Sequence, residues 1–163
     1  PAQGHEAARG LVCDMGNASS MMMNLAAGSF LVVVSVLIHT GGLILIAAVT
    51  PSVARRLGLH NHDIGRTLVM TATVLGILAI LSLEVWSWAL LYTGLNATDN
   101  FSDALFLSTA MFSTIGYGEI SLDPGWRLLT GLEGITGFLM IGWSTAYLVR
   151  ASTQHGPFRD EHF

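Results

Sequence analysis

Lysine is missing from this chain, and charge of any kind is scarce: seven arginines and eleven carboxylates make up 11% of 163 residues. A soluble domain keeps its surface hydrated with about one quarter charged residues, so a water-soluble globular fold is excluded first. The arginines form no tract and the net charge is −4, which leaves no electrostatic footprint for nucleic acid. A single cysteine, Cys13, permits neither an intrachain disulfide nor a thiolate metal cluster. The histidines lack ligand spacing, so no structural metal is expected. No nucleophile–base pair can be assembled either, so the chain reads as a non-enzyme without a cofactor. Internal repeats are absent. Residues 1–24 lack the charged start, apolar run and cleavage site of a signal peptide, and their small polar residues predict a disordered extension.

What the chain has is apolar length: 52% hydrophobic residues and a mean hydropathy of +0.58. Three segments, 25–50, 67–95 and 126–149, each exceed the ~20 residues that cross the hydrocarbon as a helix. The first holds only His39 as an ionisable group, the second Glu84, and the third Arg127 and Glu133. The run 101–112 makes roughly 18 Å of helix, too short to cross, and suits a re-entrant helix buried in protein. Asn100 is a good cap for it, and Asp103 then faces the positive end of its dipole. Arg55, Arg56 and Arg66 flank the first connection, whereas Asp99, Asp103, Glu119 and Asp123 surround the second. That asymmetry predicts a cytoplasmic first loop, an external N-terminus and re-entrant loop, and a cytoplasmic tail, 151–163. Trp86, Trp88, Tyr92 and Trp126 are expected at the outer interface, with Trp143 and Tyr147 near the inner one. No span carries a regular series of arginines, which excludes a voltage sensor.

Between the short apolar run and the last span stands Thr114-Ile115-Gly116-Tyr117-Gly118. Successive carbonyls can replace the water around a cation only if they all face one axis. Glycine at alternate positions permits this because it reaches φ > 0 without a Cβ clash. Thr114 adds a hydroxyl at the inner end. One such strand per chain, with no repeat, requires several chains around the axis.

The stretch Ser-Thr-Ile-Gly-Tyr-Gly-Glu at 113–119 resembles the signature of the potassium-channel pore family, usually Thr-Thr-Val-Gly-Tyr-Gly-Asp. The likeness continues upstream through Asp103-Ala104-Leu105-Phe106-Leu107-Ser108 and downstream through Asp123-Pro124-Gly125-Trp126-Arg127. It implies an all-α membrane protein: three transmembrane helices, a re-entrant pore helix (101–112) and a selectivity-filter loop (114–118), with a pore domain over 25–150. It also implies a homotetramer in a bacterial inner membrane that passes K⁺ down its gradient, with Thr114, Ile115, Gly116 and Tyr117 as ion ligands and Gly118 completing the filter. The family minimum is two spans, so the first span is an addition. Ile115 for Val is conservative. Glu119 stands where the family usually has Asp, and with Asp123 it is expected to gather cations at the outer mouth. The last span resembles the cavity-lining helix with its glycine hinge, for which Gly134, Gly137 and Gly142 are candidates. A weakly selective cation channel and a non-conducting accessory subunit are the competing readings.

Carboxylates inside a span are costly and read as functional. Some family members carry an acid behind the filter, but here the matching stretch is Thr109-Ala110-Met111. Glu84 and Glu133 lie at comparable depth, level with the re-entrant loop. Either is expected to reach the pore helix, where Ser108, Thr109 and Ser113 offer hydroxyls, and brace the filter. His39 is a candidate pH sensor or a satisfied packing residue.

Overall fold

The structure, a computed structural model, describes residues 2–56, 63–116 and 124–155. They form four α-helices: α1 (Ala2–Arg56), α2 (Asp63–Gly94), α3 (Phe101–Phe112) and α4 (Arg127–His155). A single 3₁₀ turn, Pro124–Trp126, leads into α4, and no strand occurs among the described residues. Three of the helices are long and apolar enough to cross a membrane: Met21–Thr50, Gly65–Gly94 and Arg127–Thr153, in which 18-residue stretches reach mean hydropathies of 2.5, 2.2 and 1.2. The chain is thus an all-helical, multi-pass membrane protein in which α3 is too short to span.

The stretch 2–20, whose small polar residues predict disorder, is helical and continuous with the first span. No proline interrupts residues 2–50, and Ala, Gln, Glu, Arg, Leu and Met between the glycines favour helix. Once the span supplies the nucleus, each added residue gains a bond at little extra cost. At 55 residues α1 is about 80 Å long, far more than one bilayer requires.

Three contacts fix how α1 lies against α2. His39 meets Glu84, Gly42 meets Ile80, and Ile46 meets Gly76. Each step forward on α1 is a step back of about one turn on α2, so the two run antiparallel in a single register. A Cβ on Gly42 would come within 2.6 Å of Ile80 Cγ1, so glycine there is what lets the helices close. The same holds between α1 and α4: Asn24 Nδ2 donates to the Gly125 carbonyl at 3.4 Å, and Gly28 lies against Leu129 and Leu132. Contacts that advance together on both helices make α1 and α4 parallel.

Two apolar cores result. The larger gathers Leu31, Trp88, Tyr92, Leu107, Phe112, Leu129 and Met140 around α3. The smaller, farther from α3, gathers Leu43, Ile77 and Ile80, with Tyr147 and Leu148 of α4 packed on it. Trp88 and Tyr92, expected as interfacial aromatics, are wholly buried in the larger core, while Trp86 remains 55% exposed. Residues 84, 88 and 92 share one helix face, and that face meets protein; position along the span does not reveal facing.

Candidate functional site

The site is built on the C-terminal end of α3. Asn100 caps the other end as its sequence predicts: its Oδ1 accepts from the Asp103 amide at 2.9 Å and its Nδ2 donates to Asp103 Oδ2 at 2.8 Å. With its start fixed, α3 buries Ala104, Leu107, Ser108, Ala110 and Phe112. Beyond Phe112 the chain turns back on the helix. The Thr114 amide donates to the Met111 carbonyl at 2.9 Å, and the amides of Ile115 and Gly116 donate to that of Ala110, both at 3.0 Å.

All three amides are therefore committed to carbonyls that a helix end leaves unpaired. Among the described residues, no backbone donor reaches the carbonyls of Thr114, Ile115 or Gly116. Thr114 (φ 61°) and Gly116 (φ 62°) are both left-handed, two residues apart. Gly116 adopts that conformation freely; for a β-branched residue such as Thr114 it is an outlier imposed by the turn. The side chains of Thr114 and Ile115 are exposed. Ser113 is the C-cap, and its hydroxyl donates to the Thr109 carbonyl of its own helix at 2.6 Å. It supports the turn locally and makes no contact with a buried acid.

Glu133 reaches α3. It is wholly buried, with Ser108 Oγ 2.5 Å from Oε1 and the Tyr92 hydroxyl donating to Oε2 at 2.6 Å. Ser108 Oγ also lies 2.9 Å from the Val85 carbonyl. Helices α2, α3 and α4 thus meet at one carboxyl. A serine hydroxyl holds one proton, and here it faces two oxygens. The count closes when Ser108 donates to Val85 and Glu133, carrying its own proton, donates to Ser108. Tyr92 is the partner that the sequence reading missed; its spacing of two turns from Glu84 on a buried face was the available signal.

Glu84 turns to α1 instead. His39 Nδ1 lies 3.0 Å from Glu84 Oε1, both side chains wholly buried, so of the two intramembrane acids only Glu133 touches α3. The glycines of α4 also separate. A Cβ on Gly137 would overlap the Phe112 carbonyl oxygen and lie 2.8 Å from Phe112 Cα. Gly137 is where α4 touches the backbone at the end of α3. Gly134 would meet Met111 O at an ordinary 3.5 Å, and Gly142 faces open space. Tyr117, Gly118, Glu119 and Asp123 lie outside the described residues.

No match was found among curated proteins or among solved structures. A family model described as Ion channel does match, over residues 78–154. That stretch runs from within α2, through α3 and its turn, to the penultimate residue of α4. It holds every contact of Glu133 and the close approach at Gly137, and leaves α1 outside. Over that stretch, a little under half of its length, the chain is similar to the ion channel family.

Proposed function

We propose that copies of this chain surround an axis along which K⁺ crosses the membrane passively, as a homotetramer. The observation that carries the reading is the polarity of residues 114–116. Their amides are bound to the end of α3, and among the described residues no backbone donor meets their carbonyls. Rings of such carbonyls, continued by Tyr117, replace the hydration shell of a cation, and the Thr114 hydroxyl adds a further oxygen. Ions shed water, occupy the sites in single file, and leave by mutual repulsion. Glu119 and Asp123 ring the outer mouth and raise the local cation concentration. The arginine-bearing connection lies in the cytoplasm and the 114–118 loop outside, in a bacterial inner membrane. Glu133 holds the pore helix to α4.

Purified protein reconstituted into liposomes, with K⁺ and Na⁺ on opposite sides, tests this. K⁺ current blocked by Ba²⁺ and little Na⁺ current is expected. Equal K⁺ and Na⁺ currents overturn the selectivity. No current, with assembly only alongside another protein, overturns the channel itself.

A further inference from the structure

Between the two apolar cores runs a polar layer to which α1, α2 and α4 each contribute. On α1, His39 falls between Val36 of the larger core and Leu43 of the smaller. On α2, Glu84 falls between Val85 and Ile80; on α4, Ser144 falls between Met140 and Tyr147. All three layer residues are buried. Hydrogen-bonding atoms there have no partner within the protein among the described residues: His39 Nε2, Glu84 Oε2 and Ser144 Oγ, joined by Ser35 Oγ and Trp88 Nε1. Ser35 and Trp88 sit one turn from His39 and Glu84, and the α1–α2 register that pairs His39 with Glu84 also sets Ser35 opposite Trp88. Buried polar atoms are ordinarily bonded, and water is a partner small enough to enter such a layer. The imidazole also faces the Trp143 ring of α4, with centroids 5.5 Å apart.

We propose that the His39–Glu84 pair is an intramembrane proton-binding site that controls how the distal half of α4 packs on α1 and α2. The pair is neutral overall with one shared proton, as imidazole beside carboxylic acid or imidazolium beside carboxylate. A second proton makes imidazolium beside carboxylic acid, a net positive charge in an apolar layer where an uncompensated charge is costly. Among the described residues, no group nearby compensates it. Within the membrane-crossing part of α1 there is no other acid or base; that of α2, Gly65–Gly94, adds only Arg66 at the far end and Tyr92 near the other, with Asp63 beyond Arg66. On α4, Glu133 is engaged by Tyr92 and Ser108, Tyr147 lies in the smaller core, and Arg127 and Arg150 flank the span. Asp103 of α3 is at the opposite end of that helix, bound to Asn100. Protonation therefore loosens the clasp between α1 and α2. The smaller core that this clasp closes is also where Tyr147 and Leu148 of α4 rest, so α4 beyond Ser144 is released. Gly142, with open space beside it, is the point at which α4 can bend without a clash. The extra span of this chain thereby acts as a proton-sensitive clamp on the pore-forming part, an inference that rests on the channel reading.

Two measurements on the full chain test it. Protonated imidazole quenches a neighbouring indole, so Trp emission is titrated between about pH 5 and pH 8, the range in which a histidine switch operates. A pH-dependent component is expected that disappears in both His39→Gln and Trp143→Phe. Identical titrations in the wild type and His39→Gln overturn the site, whether or not the protein conducts. K⁺ flux from liposomes over the same range is expected to change on the order of tenfold. His39→Gln and Glu84→Gln, which retain a hydrogen-bonding side chain, are expected to flatten that response, while replacing the two histidines between the first and second apolar segments of the sequence, His60 and His62, together leaves it intact. A flux response that survives in His39→Gln and Glu84→Gln overturns the coupling. Absence of flux at every pH in the wild type overturns the channel reading, and the emission titration still decides the site.

Discussion

Ser108, Glu133 and Tyr92 set the sharpest test at the scale of single residues. With Glu133 as a neutral acid, Glu133→Gln offers Ser108 an amide N–H in place of the acid proton and keeps an oxygen for Tyr92. Conduction and thermal stability are then expected to stay close to wild type. Tyr92→Phe leaves a buried Oε2 without its donor, which costs roughly 1–3 kcal/mol. A lowered melting midpoint for Tyr92→Phe beside a near-normal Glu133→Gln is the expected pattern in detergent-solubilised protein. The reverse order would show that the carboxylate charge, not the hydrogen-bond count, holds the three helices together.

At the scale of elements, α3 is held from both ends and along its length. Asn100 fixes its start, the amides of residues 114–116 close its end, and α4 presses on its last carbonyl through Gly137. An added methyl at Gly137 meets backbone, not a flexible side chain, and overpacking of this kind costs roughly 1–3 kcal/mol or more. Gly137→Ala is therefore expected to lower stability and disturb ion flux, whereas Gly142→Ala, with nothing in its way, leaves stability unchanged. Melting curves for the two variants separate them. Loss of opening in Gly137→Ala would by itself report this contact and not a hinge.

At the scale of the whole molecule, much of the surface is unclaimed. Only 22%, 22% and 28% of an apolar 18-residue stretch in each of the three membrane-crossing helices is buried within one chain. Phe106 of α3 and Ile135, Phe138 and Leu139 of α4 are all exposed apolar side chains. Helices surrounded by lipid gain nothing from hydrophobicity alone, but the short α3 requires its backbone covered by protein or facing water. In the proposed tetramer further copies would meet that need, and native mass spectrometry in mild detergent is expected to show four chains. A stable monomer would remove the basis for a closed ring of carbonyls.

The number and approximate extent of the long apolar helices were legible in the sequence, because a run of about twenty predominantly apolar residues with few charges suits a helix that crosses the bilayer. The cap at Asn100 and the positive φ at Gly116 were legible for a similar reason: each is dictated by a residue and its immediate neighbours. The helix from Ala2 was not, since propensity there is weak and the adjoining span decides the outcome. Nor could the sequence say which buried acid reaches α3. Glu84 and Glu133 have the same chemistry at similar depth, and only the rotation of α2 and α4 about their axes, set by side-chain packing and by the glycine contacts at Gly42 and Gly137, sends one to Ser108 and the other to His39. The motif at 114–118 could be read as a line of residues. The placement of residues 114–116 on the end of α3, with their amides bound and no backbone donor on their carbonyls among the described residues, belongs to the tertiary structure, because that polarity depends on which groups α3 leaves unpaired.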